Sequence, residues 1–390
     1  MVDRREMTER SLRRCITIED LRGAARRRLP KLVFDFIDGG ARDEQTLLDN
    51  RRAFDAWSLM PRFGVDVAKR RTDVTLLGKP IALPLVLAPT GLAGLYRPRG
   101  EMLACRAATA AGIPFCLSTN SIASIEAVAA DVPDSDRWFQ LYPLRDRDLM
   151  DDMLKRAAEN GYRTLCFTVD LPIQGRRERD VRNGFTLPLR PTMRTVFDVI
   201  RRPAWLYGLA RNPVSFGNFA PSVQGGGMTI AQHVATLFDP SADWALVAQI
   251  RKRWNGPFVV KGVLHPEDAR AAVRAGAEAV IVSNHGGRQL DTAPAACTAL
   301  PEVVAAIGGE ADVILDGGIR RGTDILKALA LGARACMIGR PFLWGLAAGG
   351  EEGVRRAIDI LAAELDEAMA LAGVPDLSSV TPDFVRARAF

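Results

Sequence analysis

The sequence predicts an α/β protein, a closed parallel barrel of eight strands and eight helices, the (β/α)8 barrel. The length of 390 residues suits one large barrel with insertions. From residue 80 to about residue 346, short apolar runs alternate with helical patterns. Eight such runs are present, and eight is the strand count of a closed barrel rather than of an open sheet.

The apolar runs are rich in Val, Ile and Leu, as expected for strands buried on both faces. The predicted strands are Leu83–Ala88, Ile113–Ser118, Trp138–Tyr142, Thr164–Asp170, Phe258–Lys261, Ala279–Ser283, Val313–Asp316 and Cys336–Gly339. The helical patterns between them include Glu101–Ala111, Arg147–Asn160, Pro266–Ala275 and Thr323–Gly332. Polar residues or glycine stand at every strand's carboxyl end, where barrels of this kind carry their functional groups.

We interpret the chain as a single domain, residues 1–390, with three regions outside the repeat. Residues 1–79 form a basic extension that we expect to be helical and packed over the barrel. Residues 80–346 form the barrel, interrupted after the fourth strand by a long insertion, residues 171–241. Residues 347–390 are predicted to be a C-terminal helical segment.

Composition limits the function classes only loosely. The net charge of +6, from 52 Lys and Arg against 46 Asp and Glu, is compatible with an anionic substrate, a nucleic acid or a membrane surface. We expect no nucleic-acid partner, because a few arginines in one pocket explain the excess. The charged N-terminus and the lack of an apolar run of ~18 residues predict a cytoplasmic protein. Six isolated cysteines predict buried thiols, and no metal site.

Three histidines make the search for a catalytic base short. His233 lies in an amphipathic part of the insertion, and His265 precedes Pro266 at a helix start, so both are expected to be surface or capping residues. His285 ends the sixth strand in the run SNHGGRQLD, with Arg288 three residues later. A base beside an arginine suited to an anion predicts an active site at this strand end.

A phosphate site is predicted from the loops after strands seven and eight. Residues 316–322 read DGGIRRG, and Gly339 is followed by Arg340. Glycines let backbone N–H groups approach phosphate oxygens, and arginine adds bidentate bonds; tight turns alone are the other reading. Lys261, at the end of a buried strand, needs an anionic or electron-rich partner, or it is a Schiff-base lysine.

The sequence resembles the FMN-dependent 2-hydroxy-acid oxidase and dehydrogenase family over nearly its whole length. The runs SNHGGRQLD and DGGIRRGTDILKALALGARACMIGRP carry the resemblance. The runs APTGLAG, LSTNSIASIE, WFQLYPL and GRRERD look most like its (S)-mandelate and L-lactate dehydrogenase members. Membership implies FMN as cofactor and oxidation of a small (S)-2-hydroxy acid to the 2-oxo acid, with a quinone-like acceptor or oxygen taking the electrons.

The resemblance also implies roles for matching residues. His285 resembles the base that takes the substrate's α-proton or hydroxyl proton, and Asp170 resembles the acid that pairs with it. Arg177 and Arg288 look like the arginines that hold the carboxylate, Tyr142 like the tyrosine that bonds the substrate oxygen, and Lys261 like the lysine near flavin N1 and O2. Flavin contacts are implied for Pro89, Thr90, Gly91, Ser118, Gln140, Thr168 and Ser283. Ribityl and phosphate contacts are implied for Asp316, Gly317, Gly318, Ile319, Arg320, Gly339 and Arg340.

Two positions bear on substrate and acceptor. The family usually has a tyrosine, which helps bind the substrate carboxylate, where this chain has Phe36. The missing hydroxyl removes a hydrogen bond of roughly 1.5–3 kcal/mol and puts substrate identity in question. Gly91 stands where dehydrogenase members tend to carry glycine and oxidase members alanine, which predicts a dehydrogenase.

Other readings stay open. Another phosphate-binding barrel, such as a flavin-dependent isomerase or synthase, would keep the phosphate loops without the pair His285 and Arg288. A family variant with an unusual hydroxy acid, or a non-enzymatic binding protein, is also conceivable. The family often forms tetramers, so we expect a homo-oligomer. The insertion has five arginines and one acid between Gly184 and Phe219, with several large aromatics; this predicts contact with an anionic membrane surface, or else an active-site lid or a subunit contact.

Overall fold

The computed structural model of the chain describes residues 11–184, 193–212, 216–219 and 237–388. The described part of the N-terminal extension is helical up to Arg52, as predicted, with helices Ile18–Arg28, Lys31–Asp38 and Gln45–Arg52. Its second half differs from the prediction, because it forms the strands β1 (Trp57–Leu59), β2 (Val74–Leu76) and β3 (Lys79–Ile81). The extension is therefore of mixed structure.

The hairpin β2–β3 closes the end of the barrel opposite the functional end. Its two-residue turn has positive φ at both Leu77 and Gly78, the conformation that suits a tight hairpin. Leu76 and Ile81 pack into the same buried cluster as the side chains inside the barrel. The Leu77 N–H donates to the carboxylate of Asp312, at the amino end of a barrel strand, over 2.9 Å.

The eight predicted strands close into one parallel barrel, as the fold class requires. In chain order they are β4 (Leu85–Leu87), β5 (Phe115–Ser118), β6 (Arg137–Leu141), β7 (Thr164–Thr168), β8 (Phe258–Val263), β9 (Ala279–Ser283), β10 (Asp312–Asp316) and β11 (Ala335–Ile338). Each strand pairs with its neighbour in sequence, and β11 pairs with β4. The register sets Thr168 beside Lys261 and Ser283 beside Asp316, so four predicted site residues meet at one rim.

Helices surround the barrel, and the four named from sequence are present within one or two residues. The helices between strands are Ala93–Tyr96, Gly100–Ala110, Ile125–Asp131, Arg147–Glu159, Trp244–Arg253, Pro266–Arg274, Ala296–Ile307 and Gly322–Ala330. His265 caps its helix, because its Nδ1 accepts the Glu267 N–H over 3.1 Å, in line with the capping role expected for it.

The C-terminal region is helical, as predicted, but it ends in a strand. Helices Arg340–Gly349 and Glu351–Ala372 are followed by 3₁₀ turns at Leu377–Ser379 and Pro382–Phe384 and by β12 (Val385–Ala387). Strand β12 pairs antiparallel with β1, so Trp57 faces Ala387. The C-terminal part of the described chain is thus joined to the N-terminal extension in a small two-stranded sheet.

The insertion contributes short helices in its described parts. These are Glu178–Arg182, Met193–Ile200 and Pro203–Arg211, and Pro203 occupies the first turn of its helix. His233 lies outside the described residues. All six cysteines are buried and free, in agreement with the sequence. Among the described helices, none combines the length and apolar character needed to cross a bilayer.

Candidate active site

His285 and Asp170 form a hydrogen-bonded pair at the carboxyl end of the barrel. Nδ1 of His285 lies 2.9 Å from Oδ1 of Asp170. His285 has a φ of 57°, a left-handed conformation that costs free energy for a residue with a side chain. Its backbone N–H donates to Oγ of Ser283 over 3.0 Å, which helps hold it there. Burial opposes the charge of Asp170, but His285 and Lys261 outweigh burial and lower the pKa of its carboxyl.

Arg177 and Arg288 face the same aromatic ring. The guanidinium carbons lie 5.3 Å and 5.0 Å from the ring centroid of Phe36. Burial, together with the nearby charge of Arg288, lowers the pKa of Arg177 to about 10, so Arg177 stays positive at neutral pH. The structure therefore brings together the two arginines that the sequence predicted, with Phe36 as the surface that both contact.

The carboxyl end of helix Lys31–Asp38 accepts hydrogen bonds from Arg288 and Arg340. Nη1 of Arg288 donates to the carbonyl oxygens of Phe36 and Gly39 over 2.7 and 3.1 Å. Arg340 donates to the carbonyl oxygens of Ile37 and Gly39 over 3.0 and 2.8 Å. Carbonyls at a helix C-terminus have no partner within the helix and carry partial negative charge, so they suit cations.

Tyr142 follows β6 and lies beside the histidine. Its ring stacks on His285 with the centroids 6.4 Å apart and packs edge-on against Phe238 at 5.2 Å. Burial, and then the charge of Asp170, raise the pKa of the Tyr142 phenol. Tyr142 is therefore a neutral hydrogen-bonding group at any ordinary pH.

Lys261 is buried and forms an ion pair with Asp316. Its Nζ donates to Oδ2 of Asp316 over 2.6 Å and to Oγ of Ser283 over 2.8 Å, and Ser283 donates in turn to Asp316 over 2.7 Å. Burial alone would lower the pKa of Lys261, but Asp316 and Asp170 raise it overall. A lysine held positive in this way is a poor Schiff-base nucleophile.

Of the buried polar atoms at the rim that have no hydrogen-bond partner among the described residues, two lie on the adjacent strands β6 and β7. They are Nε2 of Gln140 and Oγ1 of Thr168, on side chains only 1% exposed. Oε1 of the same Gln140 is used, since it accepts the Thr119 N–H over 3.2 Å. Leaving a buried donor unpaired costs roughly 1–3 kcal/mol, so a ligand with polar edges, such as a flavin ring, fits this rim.

Three further predicted contacts, Pro89, Thr90 and Gly91, follow β4 in a half-buried loop without helix or strand. Ser118 ends β5, and its hydroxyl donates to Oε1 of Gln140 over 3.3 Å. A Cβ added to Gly91 would lie 3.3 Å from Cβ and the carbonyl oxygen of Asn120. The loops after β4 and β5 therefore pack closely at the same end of the barrel as His285.

The loops after β10 and β11 hold two buried arginines without a carboxylate partner among the described residues. Nη1 of Arg320 donates to the carbonyl of Ile319 over 2.7 Å, and its guanidinium stacks on Trp344 at 4.7 Å. Burial lowers the pKa of Arg320 to about 10 and that of Arg340 to about 9. Two buried positive charges of this kind need an anion, which the FMN phosphate would supply.

Glycine is required beside these arginines. Gly318 has a φ of +82°, and a Cβ there would lie 2.0 Å from the carbonyl oxygen of Asn50. Gly317 also has a positive φ, and Gly339 precedes the helix that starts at Arg340. The open backbone and the helix N-terminus together favour a phosphate over the alternative of plain turns.

The structure adds residues that the sequence analysis did not single out. Asp180 is buried with Oδ2 3.8 Å from Nη1 of Arg177; its place three residues after that arginine is a signal that could have revealed the pair. Glu101 is also buried, and its Oε1 accepts the N–H groups of Gly94 and Ile122 over 3.2 and 2.9 Å. Glu101 thereby ties the loop after β4 to the loop after β5.

The three arginines after β7 separate into different environments. Arg177 joins the site, beside Arg288 and Phe36. Arg179 instead contacts Asp38 and Glu44, and Arg176 is exposed. Neighbouring arginines alternate in direction here, so sequence alone could not choose between them.

The fold and this arrangement define a flavin-dependent oxidoreductase, and the comparisons agree. The model of the FMN-dependent dehydrogenase family matches residues 25–387, and the chain belongs to that family. It is an FMN-dependent 2-hydroxy-acid dehydrogenase by family, and FMN is its cofactor.

Named relatives extend the comparison. The chain is 45% identical to an L-lactate dehydrogenase of Caulobacter vibrioides, over 95% of this chain and 97% of the relative. It is 42% identical to a putative L-lactate dehydrogenase of Mycobacterium tuberculosis, over 97% of this chain and 91% of the relative. Among solved structures, a monotopic membrane protein, (S)-mandelate dehydrogenase, superposes with a TM-score of 0.93 at 41% identity, over 96% of this chain and 99% of that one.

Proposed function

We propose that this protein oxidises a small (S)-2-hydroxy acid to the 2-oxo acid, with L-lactate as the first candidate substrate. The observation that carries the proposal is the pair His285 and Asp170, 2.9 Å apart, at the same barrel end as Arg177 and Arg288. A base beside two guanidiniums suits a ligand with a hydroxyl next to a carboxylate. The L-lactate dehydrogenase relatives at 42–45% identity support lactate.

His285 takes the proton that leaves the substrate. Its Nδ1 is engaged by Asp170, so Nε2 is the nitrogen available to the substrate, and Asp170 stabilises the imidazolium that forms. Because the carboxyl of Asp170 is ionised, it accepts a hydrogen bond from Nδ1–H throughout. Tyr142, as a neutral phenol, donates to the substrate oxygen.

Arg177 and Arg288 hold the substrate carboxylate. Guanidinium groups bind carboxylates through charge-assisted hydrogen bonds, which are about twice as strong as neutral ones. Both guanidiniums contact the Phe36 ring, and Arg288 also donates to backbone carbonyls. These contacts orient the two groups before substrate arrives, so less entropy is lost on binding. Phe36 contributes an apolar wall to this carboxylate-binding site. We call the site formed by Phe36, Arg177 and Arg288 the substrate seat.

When bound, FMN would accept the two electrons released as the hydroxy acid becomes the oxo acid, together with the second hydrogen, the one that His285 does not take. We assign its phosphate to Arg320, Arg340 and the backbone of residues 316–319 and 339, and its ring to residues 89–91 with Ser118, Gln140, Thr168 and Ser283. Lys261, held positive by Asp316, would stabilise negative charge on the ring.

A second candidate, a flavin-dependent isomerase or synthase on the same barrel, has less support. Such an enzyme needs the phosphate loops but not a paired histidine beside two arginines. A family member with an unusual hydroxy acid stays a narrower alternative, because Phe36 removes one hydroxyl from the seat.

The acceptor and the location are further parts of the proposal. We infer a quinone-like acceptor and a peripheral position on a membrane surface, supported by large apolar side chains exposed on the helices Met193–Ile200 and Pro203–Arg211. The related (S)-mandelate dehydrogenase is described as monotopic. A cytoplasmic location and a homotetramer complete the proposal; light scattering of the purified protein tests the tetramer.

Anaerobic reduction of the holoenzyme tests the function. L-lactate, (S)-mandelate and glycolate are each mixed with the yellow protein, and bleaching of the flavin absorbance is followed together with the 2-oxo acid formed. D-lactate is the matched control, since it differs only in configuration. Rapid bleaching by L-lactate alone supports lactate. Failure of every 2-hydroxy acid to bleach the flavin overturns the proposal.

A further inference from the structure

Asp180 is a carboxylate inside the proposed substrate seat that none of the roles above uses. It belongs to the short helix Glu178–Arg182, and its Oδ2 lies 3.8 Å from Nη1 of Arg177. The side chains of Asp180 and Arg177 are each only 11% exposed. The pair is therefore largely shielded from water, where charges interact strongly.

Asp180 interacts with Arg177 through its charge and does not hold the arginine by a hydrogen bond. Within the described chain, Asp180 accepts no hydrogen bond, and 3.8 Å is too long for one. Burial raises the pKa of the Asp180 carboxyl, the positive charges of Arg288 and Arg177 oppose that rise, and the negative charges of Asp35 and Glu44 add to it. Arg288 is anchored elsewhere, by the carbonyls of Phe36 and Gly39. Removing the charge of Asp180 should thus leave Arg288 in position.

We propose that Asp180 is the internal counter-charge of Arg177 and Arg288 and restricts their seat to ligands that bring a single negative charge. The proposal rests on the proposed function, in which these arginines hold the substrate carboxylate. Two guanidiniums and one carboxylate leave the seat with one net positive charge, which a monocarboxylate neutralises. A dianion would leave an uncompensated negative charge in a shielded site, which is costly.

The consequence is a substrate class. Short 2-hydroxy monocarboxylates fit the charge of the seat, whereas compact dicarboxylates such as tartronate are excluded. Size alone would not exclude the dicarboxylates, because a carboxylate is no larger than the isopropyl group of a branched 2-hydroxy monocarboxylate. Asp180, which does not touch the reacting atoms, therefore selects ligands by their charge.

Oxalate and oxamate provide a matched pair of probes. They are planar two-carbon ligands of nearly equal shape, but oxalate carries two charges and oxamate one. Binding of each to the holoenzyme is titrated through the change in flavin absorbance, for wild type and for Asp180→Asn. We expect the ratio of the oxalate Kd to the oxamate Kd to fall at least about tenfold in the variant, equivalent to about 1.4 kcal/mol.

Asp35→Asn is the control, since Asp35 is a buried acid that contacts Lys31 and Asn183 rather than the arginines, and it should keep the wild-type ratio. If Asp180→Asn weakens both probes equally, Asp180 is only structural and the inference fails. Asp180→Ser, smaller and also neutral, gives the same test should the Asn variant misfold. The proposed function is judged separately: it fails if Arg177→Met and Arg288→Met bind oxamate as tightly as wild type.

Discussion

The guanidinium of Arg288 lies over the ring of Phe36, 5.0 Å from its centroid, and the same arginine donates to the carbonyl oxygen of Phe36 over 2.7 Å. One residue thus holds Arg288 through both its side chain and its backbone. Arg177 contacts the same ring at 5.3 Å. A family tyrosine at this position would supply a hydroxyl; here the ring face is what remains, and it orients two like charges side by side.

Substitutions of Phe36 should separate the contribution of the ring face to substrate binding from the contribution of a hydroxyl group. Phe36→Leu removes the ring face, and since a cation–π contact is worth about 0.5–2 kcal/mol, we expect KM for the hydroxy acid to rise roughly 3- to 30-fold with a smaller change in kcat. Phe36→Tyr keeps the face, adds a donor and should lower KM. Steady-state kinetics measure both. An unchanged KM in Phe36→Leu would contradict the role of the ring.

His285→Ala should keep FMN but lose catalysis. Removal of a general base costs at least about 10²-fold, and none of the FMN contacts proposed above comes from the imidazole. Stopped-flow measurement of anaerobic flavin reduction, with FMN content checked by absorbance, gives the result. His265→Ala, at a helix cap on the outside of the barrel, serves as the control and should reduce at the normal rate. Near-normal reduction in His285→Ala would remove histidine from the mechanism.

Arg320→Gln should weaken FMN without weakening riboflavin. The buried guanidinium has no carboxylate partner in the described chain, so the phosphate is its expected partner. Loss of a charge-assisted hydrogen bond of roughly 1.5–3 kcal/mol predicts a rise of about 10- to 150-fold in the Kd of FMN. Riboflavin lacks the phosphate and should bind wild type and variant alike in fluorescence titrations. An equal loss for both ligands would place Arg320 away from the phosphate.

The reduced enzyme should pass electrons to a quinone or dye much faster than to oxygen. This expectation rests on Gly91, which stands where dehydrogenase members of the family tend to carry glycine and oxidase members alanine. The reduced Gly91→Ala variant should therefore react faster with oxygen than the reduced wild-type enzyme. A Cβ at this position would sit 3.3 Å from Asn120, so the loop must shift by a few tenths of an ångström. Stopped-flow reoxidation by oxygen and by a soluble quinone measures both rates. Equal rates in wild type would identify an oxidase instead.

The protein should sediment with anionic vesicles at low salt. The side chains of Met193, Phe197, Ile200 and Tyr207 are 60–86% exposed, on helices that also carry arginines. Basic residues near an anionic leaflet contribute about 1 kcal/mol each. Neutral vesicles are the control, and replacement of residues 190–215 by a Gly/Ser linker should abolish sedimentation. If the intact protein stays in the supernatant, the segment is a lid or a subunit contact instead.

Strand number, strand order and rim positions of the site residues were predictable because each depends on local pattern. Parallel buried strands read as continuous apolar runs, and their carboxyl ends follow directly. The hairpin β2–β3 and the pairing of β1 with β12 could not be predicted from the sequence, since strands of three residues leave little periodic signal. The contacts of Asp316 with Lys261 and of Phe36 with Arg288 join distant parts of the sequence, which only the folded chain reveals.

The antiparallel register of β1 and β12, with Trp57 opposite Ala387, has a consequence for biosynthesis. The segment that carries Phe36 is translated early, and β1, which follows it, acquires its hydrogen-bonding partner only when residues 385–387 have been made. Arg288 and Arg340, which bond to the carbonyls around Phe36, also come late. A nascent chain can therefore form early strands of the barrel, but the proposed substrate seat cannot be completed before Arg288 and Arg340 have been translated. A chain that stops before Arg288 should therefore show no partial activity.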